Sequence, residues 1–538
     1  MQLSPSAHAD TFCRDNLPPP GQLPELLFTL PELAYPDRLN CAQALLDETI
    51  RVHGEGRPCL LSDRETWSYG ETARRASQVA GVLAGQLGLV PGNRVLLRGP
   101  NSPWLAACWL GVLMAGGVVV TTMALLRALE LSAICEIAQV DLALCDHRFT
   151  AELVAAGRPG LRIVSYGGDG ADDLVQRAAA QPGEFGAVPT AADDVAMIAF
   201  TSGTTGRPKA AMHFHREVLA TADTYSARVL APVPGDVFTG TPPLAFTFGL
   251  GGLLIFPLRA GAATLLLEKA TPAELADHIA ARGVTVCSTA PTAYRAMIAA
   301  GKGGQLRGLR RPVSAGEHLS ASTWQAFYEA TGVPIVDGIG STEMLHIFIS
   351  AADGAMRPGS TGVPVPGYQA AVLEEDGKPV PDGQPGRLAV KGPTGCKYLS
   401  DPRQLSYVQD GWNLTGDTYV RDQDGYFWYQ ARSDDIIISA GYNIAGPEIE
   451  EALLMHPDVA ECGVVGVPDE ARGQLVTAYV VLAAGAAGDA AKVAELQEFV
   501  KSKIAPYKYP RVIEFLPQLP RTNTGKLQRY RLRERSAR

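Results

Sequence analysis

The sequence predicts an α/β protein with a large N-terminal domain of parallel-sheet α/β subdomains plus a small β subdomain, followed by an α+β C-terminal domain. Helix-like and strand-like segments alternate from about residue 40 to about 290, as βαβ units require. Glycines and prolines punctuate short alternating strands after about residue 360, which indicates an antiparallel subdomain. We place the domain boundary between Asp434 and Asp435, so the predicted domains are 1–434 and 435–538.

The individual elements follow from the spacing of apolar residues. Segments 69–87 and 270–282 have the period of amphipathic helices, and segments 94–97 and 284–287 read as short strands. In the C-terminal domain we predict helices over 445–454 and 490–504 and strands over 461–466 and 478–482. Segment 104–126 carries no charge and is long enough to cross a bilayer. Three glycines interrupt it, so we interpret it as a buried helix followed by a buried strand.

Composition and charge restrict the possible functions. The chain has 538 residues, 46% hydrophobic and 19% charged, a balance typical of globular domains. Because its net charge is −9, it has no general attraction for nucleic acid or an anionic membrane, and a phosphate ligand needs a local site. The nine cysteines are scattered and never form a C-x-x-C pair, which argues against disulfides or a zinc site. The N-terminus lacks a signal-peptide pattern, so we expect a cytoplasmic protein.

A run of hydroxyl, glycine and basic residues follows the apolar strand 195–200. It comprises Thr201, Ser202, Gly203, Thr204, Thr205, Gly206, Arg207, Pro208 and Lys209. Glycines let backbone N–H groups turn toward an anion, hydroxyls add donors and lysine adds charge, so the run predicts a polyphosphate site. It is not a Walker loop, because two residues separate Gly203 from Gly206 and Ala210 follows Lys209. A Ser/Thr/Gly surface loop is the alternative interpretation.

Two carboxylates that follow strands are candidate ligands. Glu343 comes after the strand 334–337 and a glycine turn, where it could hold Mg²⁺ against phosphates. A carboxylate at the start of a helix is the alternative for Glu343. Asp417 is predicted to lie on a tight turn, where it could accept the two hydroxyls of a ribose; a plain Asx turn is the alternative.

Two basic residues are further candidates. Arg432 precedes Asp434 near the domain boundary and could reach phosphates, or form a surface ion pair. Lys526 ends the glycine-containing segment 520–526 and could act on a ligand, or remain solvated.

Together, in this order and at these separations, the motifs resemble those of the adenylate-forming superfamily of acyl-CoA synthetases, peptide-synthetase adenylation domains and beetle luciferases. The resemblance covers nearly the whole chain. It implies an N-terminal adenylation domain and a mobile C-terminal lid domain that rotates about Asp434 between two half-reactions. It also implies ATP, Mg²⁺ and CoA as the molecules that the protein binds.

The resemblance assigns a nucleotide site. The run from Thr201 to Lys209 would embrace the β- and γ-phosphates, Thr342 would contact the α-phosphate, and Glu343 would bind Mg²⁺. The adenine pocket would be formed by Ser314, Ala315, Gly316, Glu317, Asp337, Gly338 and Ile339.

Other positions belong by resemblance to the sugar and to the two half-reactions. Asp417 would hold the ribose hydroxyls with Arg432 close by. Lys526 would bridge the carboxylate and the α-phosphate during adenylation. After the lid rotates, the pantetheine tunnel would be lined by Gly441, Tyr442 and Asn443.

The implied reaction is the activation of a carboxylic acid. The acid attacks the α-phosphorus of ATP to give an acyl-adenylate and pyrophosphate, and a thiol then expels AMP. Negative charge on the phosphorane would be stabilised by Lys526, Mg²⁺ and the loop donors. Because one site needs two sets of neighbours in turn, a rotating lid has a physical reason.

Within the superfamily, the sequence most resembles benzoate-CoA ligases and their 2-aminobenzoate and hydroxybenzoate relatives, chiefly over 10–19, 244–251 and 337–346. Where the benzoate enzymes usually have Ala-Tyr, this chain has Thr247-Phe248, which leaves room for a ring substituent that could hydrogen-bond Thr247. His346 is a second candidate partner, or else a core histidine. The predicted acid-binding residues are Phe246, Thr247, Phe248, Gly249, Ile339 and His346.

These residues predict an ATP-dependent aryl-CoA ligase with 2-aminobenzoate as the favoured acid and benzoate or hydroxybenzoates as alternatives. An aryl-acid adenylating enzyme that loads the phosphopantetheine of an acyl carrier protein is a second hypothesis. A non-catalytic nucleotide-binding protein is a third, although the presence of Lys209, Glu343 and Lys526 argues against it. The resemblance suggests a monomer or homodimer.

Overall fold

The computed structural model describes residues 3–201, 208–432, 435–439, 442–469, 472–504, 508–522 and 526–536. The strands are, in chain order, β1 (Pro58–Leu61), β2 (Thr66–Ser68), β3 (Arg94–Arg98), β4 (Val118–Thr122), β5 (Leu142–Asp146), β6 (Arg162–Tyr166), β7 (Val195–Thr201), β8 (Lys209–Phe214), β9 (Val237–Gly240), β10 (Ala263–Leu265), β11 (Val286–Thr289), β12 (Arg311–Ser314), β13 (Val336–Gly340), β14 (Ile347–Ser350), β15 (Val363–Pro364), β16 (Gln369–Leu373), β17 (Pro385–Lys391), β18 (Val408–Gln409), β19 (Trp412–Arg421), β20 (Phe427–Arg432), β21 (Ile437–Ser439), β22 (Tyr442–Ile444), β23 (Val459–Asp469), β24 (Gly473–Leu482) and β25 (Val512–Phe515).

The α-helices are α1 (Phe12–Asp15), α2 (Cys41–His53), α3 (Tyr69–Gly81), α4 (Pro103–Met114), α5 (Ala128–Ile137), α6 (Thr150–Ala155), α7 (Leu174–Ala179), α8 (His215–Thr221), α9 (Thr247–Leu250), α10 (Phe256–Ala260), α11 (Pro272–Ala281), α12 (Pro291–Ala299), α13 (Ala321–Thr331), α14 (Gln404–Tyr407), α15 (Gly446–Leu454), α16 (Ala490–Lys503) and α17 (Arg529–Ser536). Wider π-helical turns extend α3 over Val82–Gln86 and α8 over Ala222–Leu230, and another joins α9 to α10 over Gly251–Ile255.

Side-chain caps explain where several helices begin. The Ser68 hydroxyl accepts a hydrogen bond from the backbone N–H of Glu71 at the start of α3. Thr271 and Glu274 form a reciprocal capping box at the start of α11, and Pro272 occupies its first turn. The two helices predicted over 69–87 and 270–282 are therefore confirmed, with ends shifted by a few residues.

The first α/β sheet carries the phosphate-type run. Its strand order is β6-β5-β3-β4-β7-β8, parallel throughout except for the last pair. Strands β7 and β8 form an antiparallel hairpin in which Thr201 lies opposite Lys209. The run therefore connects two paired strands, and Lys209 is the first residue of the second strand rather than part of the loop.

The second α/β sheet has nine strands in the order β15-β14-β13-β12-β11-β9-β10-β1-β2. Its centre, from β13 to β1, is parallel, whereas β14 and β15 are antiparallel at one side of the sheet and β2 is antiparallel at the other. The predicted parallel sheets are confirmed at their centres. The antiparallel edges are a feature that the alternation of helices and strands does not predict.

Segment 104–126 is a buried helix and strand, as predicted. It runs from α4, whose residues are almost all buried, into β4 at the centre of the first sheet. Among the described residues, no helix combines the length and apolar character needed to cross a membrane.

The third sheet confirms the predicted antiparallel β subdomain. It pairs β16 with β17, β17 with β19, and β19 with both β18 and β20, all antiparallel. One prediction in this region is wrong. Asp417 does not lie on a tight turn but within β19, opposite Arg432 of β20. The positive φ of 79° at Gly416 falls at an irregularity in the pairing of β19 with β17, and the strand continues past it.

The C-terminal segment is the predicted α+β unit. Strands β22-β21-β24-β23 form a sheet to which β25 adds in parallel beside β24, and α15 and α16 pack on it around Ile449, Leu453 and Leu496. This unit touches the N-terminal part directly, because the backbone N–H of Ala321 donates a hydrogen bond of 3.1 Å to the Glu451 carboxylate.

Candidate active site

Residues from three sheets and from one loop of the C-terminal unit come together in a region that we call the cleft. The hairpin of β7 and β8 contributes Thr201 and Lys209, and the turn after β13 contributes Glu343. Strands β19 and β20 add the paired Asp417 and Arg432. Functional side chains collect at the carboxyl ends of strands in open sheets of this kind.

Lys209 and Glu343 are brought together at one end of the cleft. The Lys209 ammonium lies 3.7 Å from the Glu343 carboxylate, and both contact the hydroxyl of Tyr398. The Tyr398 hydroxyl donates a 2.6 Å hydrogen bond to Glu343 Oε1, and the Lys209 ammonium donates one of 3.1 Å to the same hydroxyl. Our sequence analysis did not identify Tyr398, because no motif in the sequence links it to residues 55 and 189 positions away.

Glu343 is suited to a divalent cation. It does not begin a helix but lies in the turn between β13 and β14, where only 7% of it is exposed. Its Oε1 is bound by Tyr398, and Oε2 has no hydrogen-bonding partner among the residues that the structure describes. Mg²⁺ favours one or two carboxylates together with substrate oxygens, so this environment fits the ion. Thr342 precedes Glu343 in the same turn, and its carbonyl accepts the N–H of Leu345 at 3.1 Å.

Two parallel strands carry the residues expected around adenine. Ser314 at the end of β12 lies beside Asp337 in β13, and Gly338 must be glycine because a Cβ there would come within 2.8 Å of the Ile347 side chain. Removal from water raises the pKa of Asp337 to about 8, although the N–H of Gly338 and the Ser314 hydroxyl oppose this shift. Ile339 is half-buried next to these residues.

Asp417 and Arg432 form an ion pair inside the cleft. The Arg432 guanidinium donates hydrogen bonds of 3.2 Å to Asp417 Oδ1 and to the carbonyl of Thr415. Burial raises the pKa of Asp417, while Arg432, Thr415 and Lys526 act in the opposite direction. Gly416 leaves room for this arrangement, because a Cβ there would approach the guanidinium to 2.9 Å.

Lys526 comes close to Gly316 and Asp417 from the C-terminal unit. Its Cε lies 3.9 Å from the point that a Cβ on Gly316 would occupy, and its charge acts on Asp417. Thr522 holds the backbone of Lys526 in place with two hydrogen bonds. The N–H of Thr522 donates to the Lys526 carbonyl at 2.7 Å, and the Thr522 hydroxyl accepts the N–H of Lys526 at 3.0 Å. The structure thus brings Gly316 and Lys526 near each other, although about two hundred positions separate them in the sequence. The sequence connects these two residues only by resemblance.

Ion pairs of Arg521, which we call the clasp, connect the N-terminal part with the C-terminal unit near Lys526. Arg521 donates to the Glu317 carboxylate at 2.9 Å and to the Glu461 carboxylate at 2.8 Å. Glu317 was expected in the adenine wall, and its carboxylate also pairs with the C-terminal unit. His318, the next residue, stacks on Tyr429 with ring centroids 5.2 Å apart.

The expected acid pocket lies where the π-helical turn joins α9 to α10. His346 is 4% exposed and sits among three aromatic rings, 4.5 Å from Phe256, 5.4 Å from Tyr225 and 5.7 Å from Phe248 between centroids. Gly251 makes this possible, because a Cβ there would come within 2.3 Å of His346 Cδ2. Burial lowers the pKa of His346 to about 3, so the ring is neutral.

The remaining predicted pocket residues surround the start of α9. Thr247 is buried, and Phe246 and Phe248 are half-buried. Gly249 cannot carry a side chain, because a Cβ there would lie 2.1 Å from the carbonyl oxygen of Pro243. The structure therefore places Phe246, Thr247, Phe248 and Gly249 at the start of α9, with His346 next to Phe248.

Some predicted positions lie outside the described residues. They are Ser202, Gly203, Thr204, Thr205 and Gly206 of the phosphate run, the hinge candidate Asp434 and the tunnel candidate Gly441. Tyr442 and Asn443 are described through their backbone alone, as the first two residues of β22. The Thr201 hydroxyl is buried and has no hydrogen-bonding partner within the described part of the chain.

Family comparison agrees with this geometry. The AMP-binding enzyme family matches residues 46–398, and the AMP-binding enzyme C-terminal domain matches residues 448–526. The chain therefore belongs to the AMP-binding enzymes. It is an AMP-forming acid–thiol ligase that uses ATP, Mg²⁺ and CoA.

Several relatives are similar over almost their full length. Benzoate–CoA ligase from Thauera aromatica is 35% identical over 94% of this chain and 98% of its own. A 3-hydroxybenzoate–CoA ligase from Aromatoleum sp. (strain CIB) is 31% identical over 92% of this chain and 97% of its own. Among solved structures, the anthranilate CoA ligase AuaEII in complex with anthranoyl-AMP has a TM-score of 0.89 and 33% identity, with 94% of this chain and 99% of that chain covered.

Proposed function

We propose that this ligase activates benzoate-type acids, with 2-aminobenzoate as the favoured substrate, and transfers the aryl group to CoA. The similar benzoate, hydroxybenzoate and anthranilate ligases support the aromatic class of the acid. The apolar surroundings, in which Phe248 and Ile339 pack against the cluster that contains Phe256, support the same class.

The hydrogen bonding of His346 is the observation that supports the choice of ring substituent. Its Nε2 lies 3.4 Å from the carbonyl oxygen of Phe248, and because a carbonyl can only accept, Nε2 bears the hydrogen. The neutral ring then offers Nδ1 as an acceptor, and this atom is buried without a partner among the described residues. An unpaired buried acceptor favours a ligand that brings an N–H or O–H donor. A ring amino group next to the carboxylate is such a donor, whereas unsubstituted benzoate has none.

In this proposal a first group of cleft residues acts on the phosphates of the nucleotide, and a second group holds its sugar and base. Lys209 and the hydroxyl groups around Thr201 hold the β- and γ-phosphates, and Thr342 contacts the α-phosphate. Mg²⁺ bound at Glu343 would neutralise charge on the departing pyrophosphate. Lys526 acts at the α-phosphate, where its positive charge would stabilise the pentavalent phosphorus as the carboxylate attacks.

The sugar and the base are held by the second group. Asp417 accepts the ribose hydroxyls while Arg432 keeps its carboxylate in place. The adenine lies between the two glycine-containing segments at Ser314, Gly316 and Glu317 and at Asp337, Gly338 and Ile339. Backbone glycines let a flat base approach these strands closely.

The second half-reaction requires a different arrangement of the lid. We infer that residues 435–538 rotate about Asp434 relative to residues 1–434, which withdraws Lys526 and brings Gly441, Tyr442 and Asn443 to the acid pocket. The proximity of Lys526 to Gly316 and Asp417 supports the view that the described arrangement serves adenylation. We also infer a reducing, cytoplasmic location, because the nine cysteines are all free thiols and eight are buried.

A pyrophosphate-release screen tests the proposed substrate. Wild-type protein is assayed with ATP, Mg²⁺ and 2-aminobenzoate, the three hydroxybenzoates, benzoate and 2-methylbenzoate. The methyl compound matches the amino compound in shape and lacks the donor, so it isolates the hydrogen bond to His346. We expect kcat/KM for 2-aminobenzoate to exceed that for 2-methylbenzoate by about tenfold or more. Equal values would refute the role of His346, and activity confined to alkyl acids would refute the aryl class.

A further inference from the structure

We propose that Tyr398 is a positioning residue that orients Glu343 for the metal and takes the place of Lys209 as the direct hydrogen-bond donor to its carboxylate. Its hydroxyl is the one group that contacts both charges among the residues that the structure describes. This inference rests on the proposed role of Glu343 as the Mg²⁺ ligand.

The Tyr398 hydroxyl gives the two oxygens of the Glu343 carboxylate different roles. Its single hydrogen goes to Glu343 Oε1 at 2.6 Å, a length typical of a strong O–H···O⁻ bond. That bond fixes the plane of the carboxylate and leaves Oε2 for a cation. A lone pair of the same hydroxyl accepts the Lys209 ammonium at 3.1 Å, whereas Lys209 and Glu343 remain 3.7 Å apart, beyond direct hydrogen-bonding distance.

The backbone around Tyr398 is firmly held, as a positioning residue requires. Tyr398 forms an antiparallel bridge with Ala211 of β8, flanked by hydrogen bonds from Met212 N–H to the Lys397 carbonyl at 2.8 Å and from Leu399 N–H to the Ala210 carbonyl at 2.9 Å. The N–H of Tyr398 itself donates to the Gln404 side chain at 2.9 Å. Because Lys209 begins the same strand, its starting point is fixed relative to the tyrosine.

A buried ion pair anchors the preceding residue. The Lys397 ammonium donates to the Glu217 carboxylate at 2.6 Å, and both side chains are fully buried. Two backbone N–H groups, of Phe214 and Gly395, also donate to Glu217, at 2.7 and 3.2 Å. A charge pair this deep has little freedom to move, since leaving either charge unpaired would be costly. The side chain of Tyr398 therefore projects from a rigid base toward Glu343.

This arrangement has a consequence for binding of the nucleotide. When phosphates enter, the Lys209 ammonium can turn to them. Glu343 then still accepts the hydrogen bond from the Tyr398 hydroxyl, so its carboxylate is not left without a partner. The tyrosine thus keeps the carboxylate in its metal-binding orientation in both states. A phenylalanine would fill the same space without supplying the donor.

Metal affinity, measured without turnover, tests the inference. Mg²⁺ is titrated calorimetrically into wild-type, Tyr398→Phe and Tyr294→Phe proteins that hold α,β-methylene ATP, which cannot release pyrophosphate. Tyr294 is a matched control, because its buried hydroxyl donates to the Cys287 carbonyl at 2.8 Å in the core of the second sheet. We expect Tyr398→Phe to weaken Mg²⁺ binding about tenfold, as loss of a hydrogen bond to a charged group should. Tyr294→Phe should lower thermal stability and leave the metal affinity within twofold of wild type.

A double-mutant cycle separates positioning from general damage. In a Glu343→Gln background, Tyr398→Phe should change the remaining Mg²⁺ affinity by less than twofold, because its effect passes through the carboxylate. Unchanged Mg²⁺ affinity in Tyr398→Phe, or an equal loss in both backgrounds, would overturn the inference. If wild-type protein failed to bind Mg²⁺ with the nucleotide analogue, both this inference and the ATP step of the proposed function would fall. If it bound but activated no aryl acid, the proposed substrate alone would fall.

Discussion

The clasp between Arg521 and Glu317 predicts a selective loss of the first half-reaction. Glu317 belongs to the N-terminal part and Glu461 to the C-terminal unit, so a lid that rotates as proposed would have to break the 2.9 Å contact between Arg521 and Glu317 but not the contact between Arg521 and Glu461. The Arg521 side chain is 26% exposed and that of Glu317 is 17% exposed, which makes the pair stronger than an open surface ion pair. We assign it about 1–2 kcal/mol, which corresponds to a roughly 5- to 30-fold change in the population of the closed arrangement.

The assay separates the two half-reactions. For Arg521→Gln, we expect kcat/KM for pyrophosphate release to fall about 5- to 30-fold, and thioester formation from supplied aryl-adenylate to change less than twofold. Arg535→Gln is the control, because Arg535 lies 3.6 Å from Glu514 in an exposed pair within the C-terminal unit. Glu317→Gln should match Arg521→Gln, and the double variant should lose little more. Equal loss of both half-reactions would refute the clasp, as would a normal rate of adenylation.

Other predictions address the lysine, the acid pocket and the buried ion pair. Lys526→Ala should suppress adenylation by several orders of magnitude and spare thioester formation from supplied adenylate; equal loss in both assays would contradict the two-state lid. Gly251→Ala should push His346 aside, because the new Cβ would lie 2.3 Å from its ring, and should reduce the preference for 2-aminobenzoate over 2-methylbenzoate to about one. An unchanged preference would show that His346 does not read the substituent. Although burial opposes the shift, Lys397 and His213 lower the pKa of Glu217 to about 2, below the ordinary value of 4.5. The pair therefore contributes stability above about pH 4.5, and this contribution is lost as the pH falls toward 2. Lys397→Met should therefore cost about 3–5 kcal/mol at pH 7, and the difference from wild type in urea unfolding should narrow below about pH 4.5. A difference independent of pH would contradict this reasoning.

Local patterns predicted the parts of the fold that depend on neighbouring residues. The period of apolar residues located α3 and α11, and the glycine- and proline-rich spacing identified the antiparallel subdomain. Asp417 was misplaced because a glycine before an aspartate usually marks a turn, whereas Gly416 adopts its positive φ inside a long strand.

The site could be predicted only where its residues belong to motifs. Such residues are Lys209, Glu343, Asp417 and Lys526. The contacts that bring them together are known only from the structure. Tyr398 and Arg521 escaped the sequence analysis because their importance arises from contacts with residues far away in the chain. Tertiary packing determines such contacts, and no local spacing encodes them.

Product analysis of a single reaction tests the central claim most directly. Wild-type protein is incubated with ATP, Mg²⁺, CoA and 2-aminobenzoate, and the products are quantified by chromatography and mass spectrometry. We expect 2-aminobenzoyl-CoA, AMP and pyrophosphate in equal amounts, with no AMP formed when the acid is omitted. Formation of ADP and phosphate, or of AMP without any aryl thioester, would contradict the assignment as an AMP-forming aryl-CoA ligase.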